Sequence, residues 1–550
     1  MEEIKKVFDT AARNCFNETV DHDVERTEEK FGDFSSNIAM KLASKLKQNP
    51  RQIAEKLGVE IKKNDNFKTV EVAGPGFVNV TLSDDALQIL ADMPMPKFLD
   101  GKEVVAEYSD PNPFKILHAG HFYTSVVGDS IANLLEQAGA LVHKVNYGGD
   151  VGLHVGKTMW AALQDLGGEN PEKLHKIVNK TQWMADCYVK GTAAYEEDLQ
   201  AREAIVVLNK KVYELHKNND KESAFAKIYW TCRQWSYDSF DDFYKQIGSR
   251  FDKYYPESSV VDKGLELVKE QQSKGVYQES NGAVVFDGEK YGLHTRVFIN
   301  SEGLPTYETK EVGLLFTKKQ DFNFDFSVVI TGSEQKEYMA VVLKSVEQYA
   351  PELVKATNHI THGLVKLAGG QKMSSRKGNI LSATDVLEAS FQAMQKVHSS
   401  GNKDSALGAV KYSFLKQRIG GDIIYDPEES VSMHGNSGPY LQYAHARGYS
   451  ILSKSNKTPQ KPAQLEESER SLLRKISEYN EVKVRSINEL KPHNICNYLY
   501  ELAQSFNRFY EKNRIINDDR EAERLWIIKR YINNLADGLS VLGITAPKKM

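Results

Sequence analysis

The sequence predicts three units: a small α+β domain, an α/β core with a helical insertion, and an all-α helical bundle. Three observations lead to this fold class. A strand–turn–helix–strand pattern begins near residue 98, strand-like runs resume after a charged, helix-rich stretch, and apolar residues recur at helical spacing towards the end of the chain. We place the domains at 1–96, 97–410 and 411–550, with the insertion at about 160–260.

The first unit combines helices with strands. Helix-like periodicity covers 37–46 and 50–57, and strand-like runs follow at 68–73 and 76–82. The Met-Pro-Met-Pro sequence at 93–96 is typical of a linker. We therefore expect a small α+β domain that ends at this linker.

The core begins with a βαβ unit. A strand-like run at 104–108 leads through a glycine-containing turn into a helix-like run at 122–137, and a second strand-like run follows at 141–147. Ligands in such folds bind where the strand meets the helix. The unit therefore predicts a Rossmann-like sheet with a functional site at the turn.

The remainder of the core is interrupted by charged, helix-rich sequence. Strand-like runs return at 282–286, 295–299 and 326–330, and we expect them to complete one parallel sheet. Beyond residue 410, strand signals fade. The helical bundle is predicted from the apolar periodicity of 472–490, 495–516 and 522–542.

Composition excludes several classes of protein. Hydrophobic residues make up 41% and charged residues 27% of 550, and no run of about 18 apolar residues predicts a membrane span. The N-terminus lacks the apolar core of a signal peptide, and the four cysteines form no CxxC pair. We expect a cytoplasmic protein without membrane contact, disulfides or a protein-bound metal. With a net charge of −4, a nucleic acid would have to bind local basic surfaces.

The turn of the βαβ unit carries the tetrapeptide HAGH, residues 118–121. A helix N-terminus favours anions, because its free N–H groups and its dipole point outwards. Two histidines there, with a glycine that permits close approach, can hold a triphosphate and stabilise charge at its α-phosphate. The pattern predicts adenylyl transfer, although alone it fits a capping and a packing histidine equally well.

A second element lies about 250 residues further along the chain. The segment 372–379, KMSSRKGN, carries three cations and two hydroxyls after a glycine pair. Such a loop can close over a triphosphate and neutralise the departing pyrophosphate. Taken alone, it also fits a solvated basic loop.

The combination of the two elements resembles the HIGH and KMSKS pair of class I aminoacyl-tRNA synthetases. The segment 107–115, EYSDPNPFK, looks like the arginyl-tRNA synthetase pattern E-x-S-S-P-N-P-x-K. Further similar segments are GPGFVN at 74–79, GPYLQYAHAR at 438–447 and the C-terminal LGI to PKKM. The resemblance extends from about residue 30 to the end of the chain.

This resemblance implies an arginine–tRNA ligase. ATP would activate arginine as arginyl-adenylate, and a 3′ adenosine hydroxyl of tRNA(Arg) would then take the arginyl group. We expect ATP, accompanied by Mg²⁺, to be a substrate. We also expect the protein to be a monomer. Three alternatives remain open: a class I synthetase for another amino acid, an HxGH nucleotidylyltransferase, and a non-catalytic tRNA-binding paralogue.

The resemblance also implies roles in catalysis. The second lysine of the KMSKS pattern is Ser375 here, and in arginyl enzymes a lysine just before HIGH is thought to replace it. Lys115 occupies that position, although it would otherwise be an ordinary surface lysine. Gly120 would let adenosine pack against the start of the helix. The residues assigned to catalysis or to ATP are Lys115, His118, Gly120, His121, Lys372, Ser374 and Lys377.

An arginine pocket needs carboxylates, because a planar guanidinium prefers bidentate acceptors. The resemblance assigns Glu107 and Asn112 to the backbone end of the amino acid. Tyr307 would shape the pocket, Glu311 would pair with the guanidinium, and Gln335 would help to hold the substrate. Two positions depart from the pattern. Glu311 replaces an aspartate and is one methylene longer, and Asp110 replaces a serine and adds a negative charge near the ATP site.

Contacts with tRNA are implied at both ends of the chain. RNA bases in loops stack on aromatic rings, and Phe506 and Tyr510 lie four residues apart on one helix face. They would stack on anticodon-loop bases with Met550 nearby, although two core aromatics would show the same spacing. Asn37 matches a position near the tRNA D-loop, and without the resemblance it would be an ordinary helix-start asparagine.

Overall fold

The computed structural model describes residues 2–368, 381–397 and 402–550. Its first domain is an antiparallel sheet of order β1-β2-β4-β3 packed against helices, as the alternation of helix and strand patterns predicts. The elements are α1 (Glu2–Phe16), β1 (Val24–Arg26), β2 (Phe34–Ser36), α2 (Ile38–Leu46), α3 (Pro50–Ile61), β3 (Phe67–Ala73), β4 (Phe77–Leu82) and α4 (Asp84–Asp92).

The second domain starts with the predicted βαβ unit and continues into the helical insertion. Its first elements are β5 (Glu103–Glu107), α5 (Ala119–Gln137), β6 (Leu141–Gly148), α6 (Leu153–Leu166), α7 (Lys180–Glu197), α8 (Leu199–Lys217), α9 (Ala224–Ile247) and β7 (Lys253–Pro256). The later elements are α10 (Val261–Ser273), β8 (Gln278–Ser280), β9 (Ala283–Phe286), β10 (Arg296–Ile299), α11 (Tyr307–Phe322), β11 (Phe326–Gly332), α12 (Lys336–Glu347), α13 (Pro351–Lys355), β12 (Thr357–His362) and β13 (Val365–Leu367).

A five-stranded sheet forms the centre of this domain, with the order β12-β11-β5-β6-β7 and every neighbouring pair parallel. Its central strands, β5 and β11, are buried along most of their length, because helices cover both faces of such a sheet. The order reverses beside β5, where the crossover through α5 leads to β6 on one side and β11 lies on the other. The carboxyl ends of β5 and β11 therefore open a crevice at the start of α5.

The expected membership of this sheet is partly wrong. The runs at 283–286 and 296–299 form β9 and β10 of a separate antiparallel sheet with β8. The link between β8 and β9 is Asn281-Gly282, both with positive φ, which is typical of a tight hairpin. The edge strand β7 instead lies inside the stretch predicted as insertion.

The last elements are mainly helical, as predicted, although one short strand, β14, pairs in parallel with β13. The helices stack through apolar faces centred on α20 and α21. The elements are α14 (Ala383–Val397), α15 (Lys403–Leu415), β14 (Ile423–Tyr425), α16 (Pro427–Ser430), α17 (Gly438–Lys454), α18 (Glu467–Ser477), α19 (Tyr479–Glu489), α20 (His493–Lys512) and α21 (Glu521–Val541).

Helix α5 connects the crevice to the helical bundle. Its last turn is held by the bundle, since Gln137 Nε2 donates to Asp537 Oδ1 at 2.8 Å. Asp537 also accepts from the Tyr479 hydroxyl at 2.7 Å and pairs with Lys483 at 3.1 Å. One buried helix thus touches the site at one end and the bundle at the other.

The first domain docks on the bundle through charged side chains. Asp33 is buried and pairs with Arg470 at 2.6 Å and with Arg474 at 3.0 Å. Arg26 pairs with Glu481 at 2.7 Å across the same boundary. None of the helices in the described part of the chain is long and apolar enough to span a membrane.

Candidate active site

A cavity of about 540 Å³ lies at the crevice between β5, β11 and the start of α5. It brings together residues that the sequence places more than 200 positions apart. Predicted ATP and arginine residues share its wall: Asn112, His118, Gly120, His121 and Gln335. The fold therefore gathers both predicted substrate sites around one space.

The two histidines of the tetrapeptide stack on each other, with ring centroids 3.6 Å apart. His118 precedes the first turn of α5, and its backbone N–H donates to His121 Nδ1 at 3.2 Å. Burial lowers the pKa of His118 to about 4 and the pKa of His121 well below its ordinary value. Both imidazoles are therefore neutral at pH 7, and they offer hydrogen bonds to a phosphate without carrying charge.

Gly120 is required by this stacking. A Cβ atom at position 120 would lie 3.0 Å from the His118 ring, tighter than ordinary van der Waals contact. Any larger residue would push His118 away from His121. The glycine therefore keeps the start of the helix open beside the cavity.

Lys115 lies in the loop between β5 and α5. Its Nζ stands 4.9 Å above the ring of Tyr188, which belongs to insertion helix α7. The loop around it is strained, with positive φ at Ser109, Asp110 and Phe114. The hydroxyl of Ser109 is anchored by Tyr244 at 2.8 Å, which fixes the start of this loop.

Three acids lie close together at the cavity: Glu107 and Glu311 are buried, and Asp110 is half-buried and lines the cavity. Burial and the nearby Glu107 raise the pKa of Asp110 well above its ordinary value, although its Oδ1 accepts from the Tyr147 N–H at 2.7 Å. These surroundings disfavour the negative charge expected at position 110. Burial and Glu107 also raise the pKa of Glu311 to about 8.

Glu107 forms a buried ion pair with Lys318 on α11. Lys318 lies seven residues after Glu311, so the two side chains share a helix face. The sequence analysis did not assign Lys318 to the site. The helical spacing from Glu311 is the signal that would have found it.

Tyr307 is half-exposed at the start of α11, and Lys310 Nζ lies 4.4 Å from its ring centroid. Lys310 pairs with Glu257, which follows β7, and both side chains are buried. This second ion pair was also missed, because Glu257 lies in sequence predicted as insertion.

Glu311 and Gln335 are joined by a residue that the sequence analysis did not assign. The Tyr338 hydroxyl lies 3.0 Å from Glu311 Oε1 and 3.0 Å from Gln335 Oε1. On the opposite wall, Asn112 Oδ1 accepts from the Gly149 N–H at 2.7 Å.

Lys372, Ser374 and Lys377 fall in 369–380, outside the described residues.

The predicted tRNA contacts differ in exposure. The structure contradicts the prediction for Phe506, because its ring is fully buried and stacked on Tyr531 at 4.0 Å. Its neighbour Tyr510 is half-buried, with the Arg447 guanidinium 4.3 Å above its ring. Met550 is half-exposed.

Asn37 precedes α2 on the first domain. Its amide exchanges hydrogen bonds with Asp23, accepting from the backbone N–H at 2.9 Å and donating to the carboxylate at 2.8 Å. The described residues include no group of three or more His, Cys, Asp or Glu side chains arranged to hold a metal.

Three family models match the chain in succession. Residues 2–82 match the arginyl tRNA synthetase N terminal domain, residues 86–427 match tRNA synthetases class I (R), catalytic domain, and residues 441–550 match the DALR anticodon binding domain. The fold and the histidine-bearing crevice are thus those of a class I aminoacyl-tRNA synthetase. The central match alone covers more than half of the chain, and the chain belongs to the arginyl-tRNA synthetase family.

Individual relatives agree with this assignment. An arginine–tRNA ligase of Borreliella afzelii is 32% identical over 82% of this chain and 81% of its own length. One from Flavobacterium psychrophilum is 29% identical over 92% and 90%. The solved arginyl-tRNA synthetase of Thermus thermophilus superposes over 100% of both chains with a TM-score of 0.80 at 22% identity, which shows the shared fold. The predicted fold class and function are confirmed, and ATP is the family's nucleotide substrate.

Proposed function

We propose that the described crevice carries out arginine activation and transfer in this chain. The observation that carries the proposal is the shared cavity, whose wall holds the neutral histidine pair and Gln335. Gln335 borders the group of acids Glu107, Asp110 and Glu311, here called the acidic pocket. Arginine seated against Glu311 would direct its carboxylate towards the histidines. The α-phosphate of Mg²⁺-bound ATP would lie between the two groups.

In the first step, an oxygen of the arginine carboxylate attacks the α-phosphate, the bond to the β-phosphate breaks, and pyrophosphate leaves. This step depends on positioning and charge stabilisation more than on a protein nucleophile. His118 and His121 donate hydrogen bonds, and Lys115 supplies positive charge. We keep Lys372, Ser374 and Lys377 as further ATP contacts by resemblance.

In the second step, a hydroxyl of the 3′ adenosine attacks the activated carbonyl and AMP leaves. We propose that Tyr510, Met550 and Asn37 contact tRNA(Arg), because all three keep exposed surface. Phe506 supports the bundle from within. We further infer that the protein acts as a monomer in the cytoplasm, where its four unpaired thiols stay reduced.

The test is ATP–pyrophosphate exchange with each of the twenty amino acids, with and without total tRNA. Exchange with arginine alone is the expected result. Exchange with another amino acid would overturn the assignment of the acidic pocket. No exchange with any amino acid, in the presence of tRNA, would point to a non-catalytic tRNA-binding protein.

A further inference from the structure

Three side chains from two elements meet at the wall of the acidic pocket. Glu311 lies on α11, Gln335 directly precedes α12, and Tyr338 lies three residues later. The Tyr338 hydroxyl is 3.0 Å from an oxygen of each of the other two side chains. The fold therefore joins two predicted substrate contacts through one phenol.

Where the three side chains meet, one hydroxyl hydrogen faces two oxygens, Glu311 Oε1 and Gln335 Oε1. A phenol hydroxyl carries one hydrogen, so Tyr338 can satisfy only one of the two facing oxygens at a time. If it donates to Glu311, the amide oxygen of Gln335 remains open to a donor from the substrate. A guanidinium brings five N–H donors in a planar fork, which suits a carboxylate and an amide oxygen held side by side.

The charges around Glu311 favour this orientation. Burial and Glu107 raise its pKa to about 8, whereas Lys318 and the Tyr338 hydrogen bond lower it. Burial and Glu311 raise the pKa of Tyr338 well above its ordinary value, so the phenol stays protonated and remains a donor. The ionisable side chains that act on Glu311 or respond to it are Glu107, Asp110, Tyr147, Glu257, Lys318 and Tyr338.

Building on the proposed function, we propose that Tyr338 is a positioning residue that sets the preference for arginine. Its hydroxyl turns the Glu311 carboxylate towards the guanidinium and leaves Gln335 as a second acceptor. The longer side chain of glutamate makes such a tether necessary, because it has one more rotatable bond than aspartate. Tyr338 itself acts through Glu311 and Gln335.

The first test is Tyr338→Phe in the full-length enzyme, assayed by tRNA arginylation. The KM for arginine should rise about 10- to 100-fold, because a hydrogen bond to a charged group is lost. The kcat and the KM for ATP should stay within about twofold, as expected when only ground-state binding is removed. The preference for arginine over lysine should fall, since an ammonium gains little from a planar acceptor pair.

Tyr349→Phe is the matched control. It removes a phenol hydroxyl from the residue two positions after α12, where the hydroxyl lies 3.3 Å from that of Tyr277, away from the cavity. The KM for arginine should not change. An equal rise in both variants would mean that Tyr338 acts only through general stability, and the proposal would be wrong.

A second readout does not depend on how well the Tyr338 variant folds. Gln335→Leu removes the competing acceptor, so the hydroxyl donates to Glu311 alone and the pH midpoint of the arginine KM should move down. Tyr338→Phe should move the same midpoint up. Shifts in one direction for both variants, or none in Gln335→Leu, would overturn the proposal.

Failure of the proposed function would look different. A wild-type enzyme without arginine-dependent exchange would remove the arginine pocket itself. A wild-type enzyme that uses arginine, together with a Tyr338→Phe variant of unchanged KM and pH profile, would remove only the role of Tyr338.

Discussion

Glu311 shows how surroundings decide the chemistry of one residue. Its carboxyl group is buried beside Glu107, with the cation Lys318 on its own helix. When no arginine is bound, the Glu311 carboxyl group carries a proton, and no guanidinium pairs with it. A bound guanidinium supplies the missing positive charge, so arginine binding and deprotonation of Glu311 are coupled.

Replacement of Glu311 by alanine should raise the KM for arginine by about two orders of magnitude or more. The reason is that an unpaired buried charge costs about 3–5 kcal/mol. Steady-state arginylation kinetics measure the effect. Glu308→Ala is the control, because Glu308 lies on the same helix but pairs with Arg296 at 3.3 Å. Equal KM values in the two variants would contradict the assignment of Glu311.

The coupling also predicts a pH dependence. Because the pKa of Glu311 is raised to about 8, the proton competes with arginine below that pH and is absent above it. The KM for arginine should therefore rise as the pH falls from 8 to 6, by up to about tenfold per unit. Glu311→Gln should show a high KM that is flat over this range. A flat wild-type profile would mean that Glu311 is already ionised in the empty pocket.

Residue by residue, the sequence predicted what local patterns encode. Glu311 and the histidines stand in short motifs, and the fold gathers them. Tyr338 was missed because its contacts cross from one element to another, which no local pattern records, whereas the seven-residue spacing from Glu311 would have pointed to Lys318. Phe506 was misjudged because a four-residue spacing fixes the helix face but not whether bundle or solvent lies against it.

At the scale of elements, the insertion contacts the loop that leads from β5 to the crevice. Helix α7 places the Tyr188 ring under the ammonium group of Lys115, at 4.9 Å. An aromatic face stabilises a cation without neutralising it. Lys115 therefore keeps its full charge for a triphosphate while its position is restrained.

Tyr188→Ala should slow tRNA-dependent ATP–pyrophosphate exchange by about 2- to 30-fold, the range expected for loss of a cation–π contact. Tyr188→Phe keeps the ring face and should stay within about twofold of the wild type. In a Lys115→Ala background, Tyr188→Ala should have no further effect. The same loss in both backgrounds would show that Tyr188 supports the insertion and not Lys115.

The sequence predicted individual helices and strands better than it predicted which strands pair with each other. An apolar run reveals a strand but not the neighbour that it pairs with, so β9 and β10 were assigned to the wrong sheet. The Asn281-Gly282 turn was the available signal for an antiparallel hairpin. The short β7 strand was overlooked because it is only four residues long, KYYP, and lies between two helical segments.

At the scale of the whole molecule, charged side chains hold the first domain on the bundle. Asp33 is the centre of this contact, because two arginines and the backbone N–H of Leu82 all donate to its carboxylate. Removing this carboxylate would leave the Leu82 N–H without its partner, whereas Arg470 keeps its pair with Asp84 at 3.0 Å and Arg474 keeps its pair with Glu478 at 3.6 Å.

Asp33→Ala should destabilise the protein by about 1–3 kcal/mol, since the Leu82 N–H loses its acceptor and Arg470 and Arg474 each lose one of their carboxylate partners. Thermal unfolding by calorimetry would measure the loss of stability. Limited proteolysis should cleave the variant near the first domain sooner than it cleaves the wild type. Asp21→Ala is the control, because Asp21 is fully exposed in its pair with Lys5 and its loss should leave the unfolding temperature almost unchanged. A similarly small loss in Asp33→Ala would mean that apolar packing alone holds the domain.

Helix α5 has a mechanical consequence for the enzyme. It is 19 residues long, or about 28 Å at the usual rise. Gln137 at its C-terminal end contacts the bundle, and the histidines stand at its N-terminal end, where the Ala119 N–H donates to the Leu381 carbonyl at 2.9 Å. Because a helix is stiff, a displacement of one end of α5 tilts the other end. An adenylate reaction tolerates errors of well under about 1 Å in the placement of its groups. The position of the bundle therefore influences where the two histidines lie relative to the α-phosphate.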